Sequence, residues 1–178
     1  ANYDPRYWCE PNDDLYGQYV HKMAAFASEL LRRGYPIFFF STQFPDYLSI
    51  DDVVSSLDED VVRGIDRQAL VKQTHSVESL MDVLTSADIV VGARFHATLL
   101  ALRAARPVLG VCYYRKAQEL LREFGQDAYA VPFETFDPVD LMQRFLALQR
   151  ARTSAVATIS RGGERHRGRA AGHVRAHR

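Results

Sequence analysis

A chain of 178 residues with 47% hydrophobic and 25% charged side chains is large enough to bury its own core and lies far from the composition of a disordered protein. No apolar run approaches the ~20 residues that cross a bilayer, and the first residues lack the basic region and apolar stretch of a signal peptide, so a cytoplasmic protein with no membrane span is expected. The formal net charge of zero hides an asymmetry: from Arg152 onward seven arginines face one glutamate, which leaves the preceding body acidic.

In chain order, apolar Leu15, Tyr19, Met23, Phe26 and Leu30 recur at three- and four-residue steps, predicting a helix over 13–33 that Asp13 or Asp14 caps and Gly34 ends. Pro36 to Ser41 is short, continuous and apolar, as in a strand buried on both faces of a parallel sheet. A weaker helix is expected over 50–64 and a short strand over 69–72. Ser76 caps the next helix, with Glu78 and Ser79 in its first turn and Leu80, Val83 and Leu84 on its apolar face.

The clearest unit follows: a central strand at Ile89-Val90-Val91, a helix from Phe95 to Ala105, and a strand from Pro107 to Cys112. Arg115 to Phe124 is helical and closes at Gly125, Tyr129 to Val131 is a last short strand, and Asp137 opens a helix over 138–150. Strands alternating with helices predict an α/β domain over 1–152, a Rossmann-like parallel sheet with helices on both faces. Residues 153–178, rich in Arg, Gly, Ala and His without apolar periodicity, are expected to be a disordered basic tail outside the core. It carries no aromatic residue to stack on bases, so no nucleic-acid partner is expected. The first residue is alanine and the first regular element is a helix without a preceding strand, so the chain is read as a fragment.

Cys9 and Cys112 form neither a CxxC pair nor a disulfide framework, and no His/Cys cluster has zinc spacing, so no bound metal is expected. Cys112 reads as a small buried hydrophobe, Asp58-Glu59-Asp60 as a solvated loop, and His21 and His75 as surface residues.

Ligands of open α/β sheets sit beyond the carboxyl ends of the strands, where helix N-termini expose backbone N–H groups. Gly92-Ala93-Arg94-Phe95-His96-Ala97 is such a place. Gly92 permits close backbone approach, Arg94 is a planar bidentate cation, and the helix starting near Phe95 presents its positive end. Were Arg94 and His96 both in an extended turn, their side chains would share one side while Phe95 pointed to the core; a continuous helix would separate them.

The stretches DIVVGARFHATLLAL, RPVLGV and YYRK resemble the signature of the polysaccharide pyruvyl transferase family: an apolar strand, Gly-x-Arg-x-His-Ala at a helix start, a second strand ending in Gly, and Tyr-x-x-Lys. The matching residues are Gly92, Arg94, His96, Ala97, Gly110, Tyr113 and Lys116. The resemblance implies the C-terminal half of a two-domain, GT-B-like architecture, with the opposing N-terminal domain absent. It also implies transfer of a pyruvyl group from phosphoenolpyruvate, a donor substrate and not a cofactor, to two hydroxyls of a polysaccharide or its lipid-linked precursor. Arg94 would clamp the phosphate or carboxylate, His96 would act as an acid or as a hydrogen-bond donor to the phosphate, Lys116 would be a second cation, and Gly92 and Tyr113 would line the site. Tyr3, Tyr7 and Trp8 would lie where substrates approach, as a stacking surface or an unstructured leader. Two other readings stay open: a GT-B glycosyltransferase domain binding a nucleotide sugar, disfavoured by Arg103 and Arg106 where a ribose-binding carboxylate would stand, and a non-catalytic remnant.

Overall fold

The computed structural model describes residues 12–175, with side chains through Glu164 and at His166. The aromatic residues Tyr3, Tyr7 and Trp8, and Cys9, lie outside the described residues. The chain divides into two compact units, each assembled from two separate stretches; two of the boundaries fall inside helices and one inside a strand.

The first unit holds residues 12–83 and 132–143. Its helix α1 spans Asp13–Arg32. The cap is Asn12, one residue ahead of the expected aspartates: its side-chain oxygen accepts the Leu15 N–H at 3.0 Å, and Asp13 and Asp14 sit in the first turn, where the helix dipole favours them. Gly34 ends the helix at φ 79°, a left-handed conformation that costs glycine nothing. Val20, Ala24 and Ala27 on one face of α1 pack with Val53, Val54, Leu57, Val62 and Leu70 to form the core.

The helix expected over 50–64 is two, α2 (Asp46–Ser55) and α3 (Glu59–Val62), because the chain breaks at Asp58, whose N–H donates to the Ser28 hydroxyl at 2.9 Å. The acidic stretch there is partly this helical turn, and Arg32 binds Asp58 at 2.9 Å and Asp60 at 3.2 Å. Strand β1 is only Phe39–Phe40, parallel to β2 (Val71–Lys72) with Phe39 opposite Val71. Both β1 residues are half-buried, not buried on both faces as the apolar run suggested, since in a two-stranded sheet each strand is an edge. Helix α4 (Val77–Ser86) opens as expected, the Ser76 hydroxyl accepting the Ser79 N–H at 3.1 Å. The returning stretch is joined to α1 by aromatic packing: Tyr19 stacks on Phe133 at 4.8 Å, and the Lys22 ammonium lies 5.2 Å from the Phe136 ring centre.

The second unit holds residues 84–131 and 144–175. Its sheet has the order β3-β4-β5, formed by Val90–Gly92, Val108–Cys112 and Ala130–Pro132. Every residue of the central strand β4 is buried. β3 runs parallel to β4 with Val90 opposite Val108 and Gly92 opposite Gly110. The intervening helix α5 (Phe95–Arg103) packs on both strands, and α6 (Arg115–Glu123) packs on β4 and on α5. This is an α/β architecture with parallel sheets and helices on both sides.

Asp137 opens α7 (Pro138–Arg150), accepting the N–H groups of Val139 and Asp140 at 2.8 and 3.1 Å. The segment after Arg152 overturns its reading as a disordered tail: Arg152–Arg175 is a helix, α8, and Ala155 and Ile159 are buried, Ile159 completely. Gly162 is buried with them, and a Cβ added there would lie 3.1 Å from the Phe124 backbone, so glycine is what lets the helix approach the end of α6. Arg152 further pairs with Asp88.

Candidate functional site

Because β3 and β4 are parallel and in register at Gly92 and Gly110, the helices that follow them begin side by side at the carboxyl edge of one sheet. Gly92 is held there by packing: an added Cβ would meet the Thr98 hydroxyl at 2.6 Å, so α5 crosses its own strand too closely for any larger residue. Gly110 is constrained likewise, by Leu121 of α6.

Arg94 is the last extended residue before α5, at φ −120° and ψ 142°, half-buried with its Nε enclosed. The helix begins at Phe95, so His96 is already its second residue and is exposed. The two-residue extended turn that would send Arg94 and His96 to one side is therefore not formed, and Phe95 is the first residue of the helix. Its ring is half-buried, edge-on to the His96 ring at 5.7 Å, and faces the Lys116 ammonium at 4.9 Å from its centre. Lys116, the second residue of α6, is thereby brought to the start of α5 across 21 residues of sequence. Its neighbour Arg115 turns the other way and binds Glu119 one turn on, at 2.9 Å. Tyr113 is half-buried in the turn after β4, its ring 6.3 Å from that of exposed Tyr114.

The first turns of α1 to α4 and of α7 each carry an acidic residue, whereas those of α5, α6 and α8 carry none. Neither α5 nor α6 has a side-chain cap at its start, and the residues at the caps are Arg94 and Tyr114. Cations at the positive end of a helix dipole work against helix stability, and two uncapped N-termini leave backbone N–H donors to be satisfied from outside. Backbone N–H donors at two helix ends beside cations are groups that can hold an anion.

Cys112, at the end of β4, is buried, and desolvation pushes its thiol up to about 11, so it is a poor nucleophile at neutral pH. An open cavity of about 350 Å³ lined by Arg103, Phe124, Gly163 and His166 shares no residue with the Arg94, His96 and Lys116 cluster. Among the described residues no group of three or more His, Cys, Asp or Glu is placed to hold a metal ion, and no helix is long and apolar enough to cross a membrane.

Sequence reasoning singled out Arg94, His96 and Lys116; that the Phe95 ring meets both Lys116 and His96 was not foreseen. The available signal was the matched glycines of consecutive parallel strands, which place residues a few positions after each glycine near one another.

A family model described as Polysaccharide pyruvyl transferase matches residues 10–115, more than half of the chain and ending one residue before Lys116. No curated protein and no solved structure matches it.

Proposed function

The chain belongs to the polysaccharide pyruvyl transferase family and is a transferase, and from that premise we propose that the Arg94, His96 and Lys116 cluster binds phosphoenolpyruvate as pyruvyl donor. The observation that carries this reading is the pair of uncapped helix N-termini, joined through Phe95 and Lys116, with Arg94 at the mouth of one. Phosphoenolpyruvate carries a phosphate and a carboxylate on one small framework, a charge distribution that matches two adjacent positive helix ends and two cations.

The chemistry is a double addition at one carbon. A proton is delivered to the methylene carbon of the enol, which becomes the methyl group. A sugar hydroxyl forms its bond to the adjacent carbon, the bond from that carbon to phosphate breaks, and a second hydroxyl closes the cyclic ketal. Of the two protons lost by the hydroxyls, one balances the methyl group and the other leaves on phosphate. In this reading Arg94 clamps the donor and stabilises the departing phosphate, His96 supplies the proton or donates to phosphate, and Lys116 is the second cation. Gly92 and Tyr113 line the site. The acceptor is a saccharide chain or its lipid-linked precursor, reached from the cytoplasmic side. The acceptor-activating base comes from a second Rossmann-like domain facing this one across a cleft, as in GT-B proteins.

The test is titration of phosphoenolpyruvate into the purified chain and its Arg94→Ala variant, with UDP-GlcNAc as comparator. Saturable donor binding that weakens at least about tenfold in the variant is expected, the size of a lost charge-assisted contact. Binding of UDP-GlcNAc alone, or donor binding indifferent to Arg94, overturns the assignment.

A further inference from the structure

Phe95 presents one of its faces to a cation that lies on a different helix. The Lys116 ammonium is 4.9 Å from its ring centre, within the range of a cation–π contact, and the His96 ring meets the same side chain edge-on at 5.7 Å. Lys116 is exposed, and a lysine on a flexible four-carbon stem has no intrinsic reason to stay beside the start of another helix. Arg115, one residue earlier, is held by Glu119, whereas the partner holding Lys116 is an aromatic face. A carboxylate there would hold the lysine more tightly but would neutralise it; a ring restrains the ammonium while leaving its charge and its N–H groups for an anion.

We propose that Phe95 is a positioning residue: its ring holds the Lys116 ammonium against the N-terminus of α5, so that both helix starts act on one anionic donor. This rests on the reading of the cluster as a phosphoenolpyruvate site. The requirement is for an aromatic face at position 95, so tyrosine should substitute and leucine, of similar bulk but without a π system, should not.

The chain has three lysines, Lys22, Lys72 and Lys116, which makes the contact observable without any ligand. Reductive methylation with ¹³C-formaldehyde gives each lysine an NMR signal, and Lys116→Arg identifies the one that matters. The Lys116 methyl signal should be displaced upfield by the ring current in the unaltered chain and in Phe95→Tyr, and return to the position of a free lysine in Phe95→Leu. Phosphoenolpyruvate affinity of unmethylated protein should fall about fivefold in Phe95→Leu, be retained in Phe95→Tyr, and be insensitive to Phe95→Leu once Lys116 is Met. An undisplaced Lys116 signal in the unaltered chain overturns the proposal. So does an equal loss from Phe95→Leu with and without Lys116, which would mark Phe95 as merely structural. If the signal is displaced but the unaltered chain binds no phosphoenolpyruvate, the donor-site reading fails and takes the positioning role with it.

Discussion

Ala105 adopts φ 55° at the end of α5, where Arg106 N–H reaches back to the Ala101 carbonyl at 2.9 Å and Ala105 N–H to that of Leu102 at 3.1 Å. This is the paired closure that usually recruits glycine, because a Cβ in the left-handed region crowds the following carbonyl. The chain keeps glycine at the equivalent ends of α1 and α6, Gly34 and Gly125, but not here. Ala105→Gly is expected to stabilise the protein by about 1 kcal/mol, read as a higher denaturant midpoint with an unchanged slope. Sequence alone located this helix end within two residues but not its strain, since alanine is the best helix former and gives no warning of a left-handed backbone. The same limit applies at Phe95. An extended turn would have sent its ring toward the core, whereas it starts a helix and its ring faces the Lys116 ammonium at 4.9 Å.

At the scale of elements, the unit from β3 through α5 to β4 was legible because β4, buried along its whole length, leaves an uninterrupted apolar run and the helix before it has an apolar stripe. β1 was over-read for a related reason: consecutive phenylalanines look like a central strand, but nothing in a local pattern says how many strands will pair. α8 was under-read. Its buried positions, Ala155, Ile159 and Gly162, are small or isolated among arginines, and it was their fit to α6 and α5, a tertiary property, that decided the outcome. If α8 is part of the second core, Ile159→Ala should cost about 2 to 4 kcal/mol, the range for emptying a fully buried branched side chain. Arg161→Ala, at an exposed position on the same helix, should stay within about 0.5 kcal/mol. Chemical denaturation of the two variants checks the contrast; equal small effects would return the segment to the status of a tail.

For the whole molecule, each compact unit is completed by a stretch distant in sequence. A fragment ending at Val83 lacks Phe133 and Phe136, and with them the stack on Tyr19 and the ring beneath Lys22. Such a fragment should unfold without a cooperative transition, and adding a peptide covering residues 132–143 should restore part of its helical circular dichroism; a sharp transition in the fragment alone would contradict the division. The candidate site, in contrast, draws its helix starts from one continuous stretch, Gly92 to Lys116, which is why motif spacing exposed it while the division into units stayed hidden.

The interleaving also fixes an order in time. Synthesis runs from N- to C-terminus, so the rings that Tyr19 packs against, Phe133 and Phe136, are made only after β3, β4 and β5. The second unit waits in turn for α8. Until residue 133 has been made, Tyr19 lacks the ring it stacks on, and an unfinished surface of that kind is open to wrong partners.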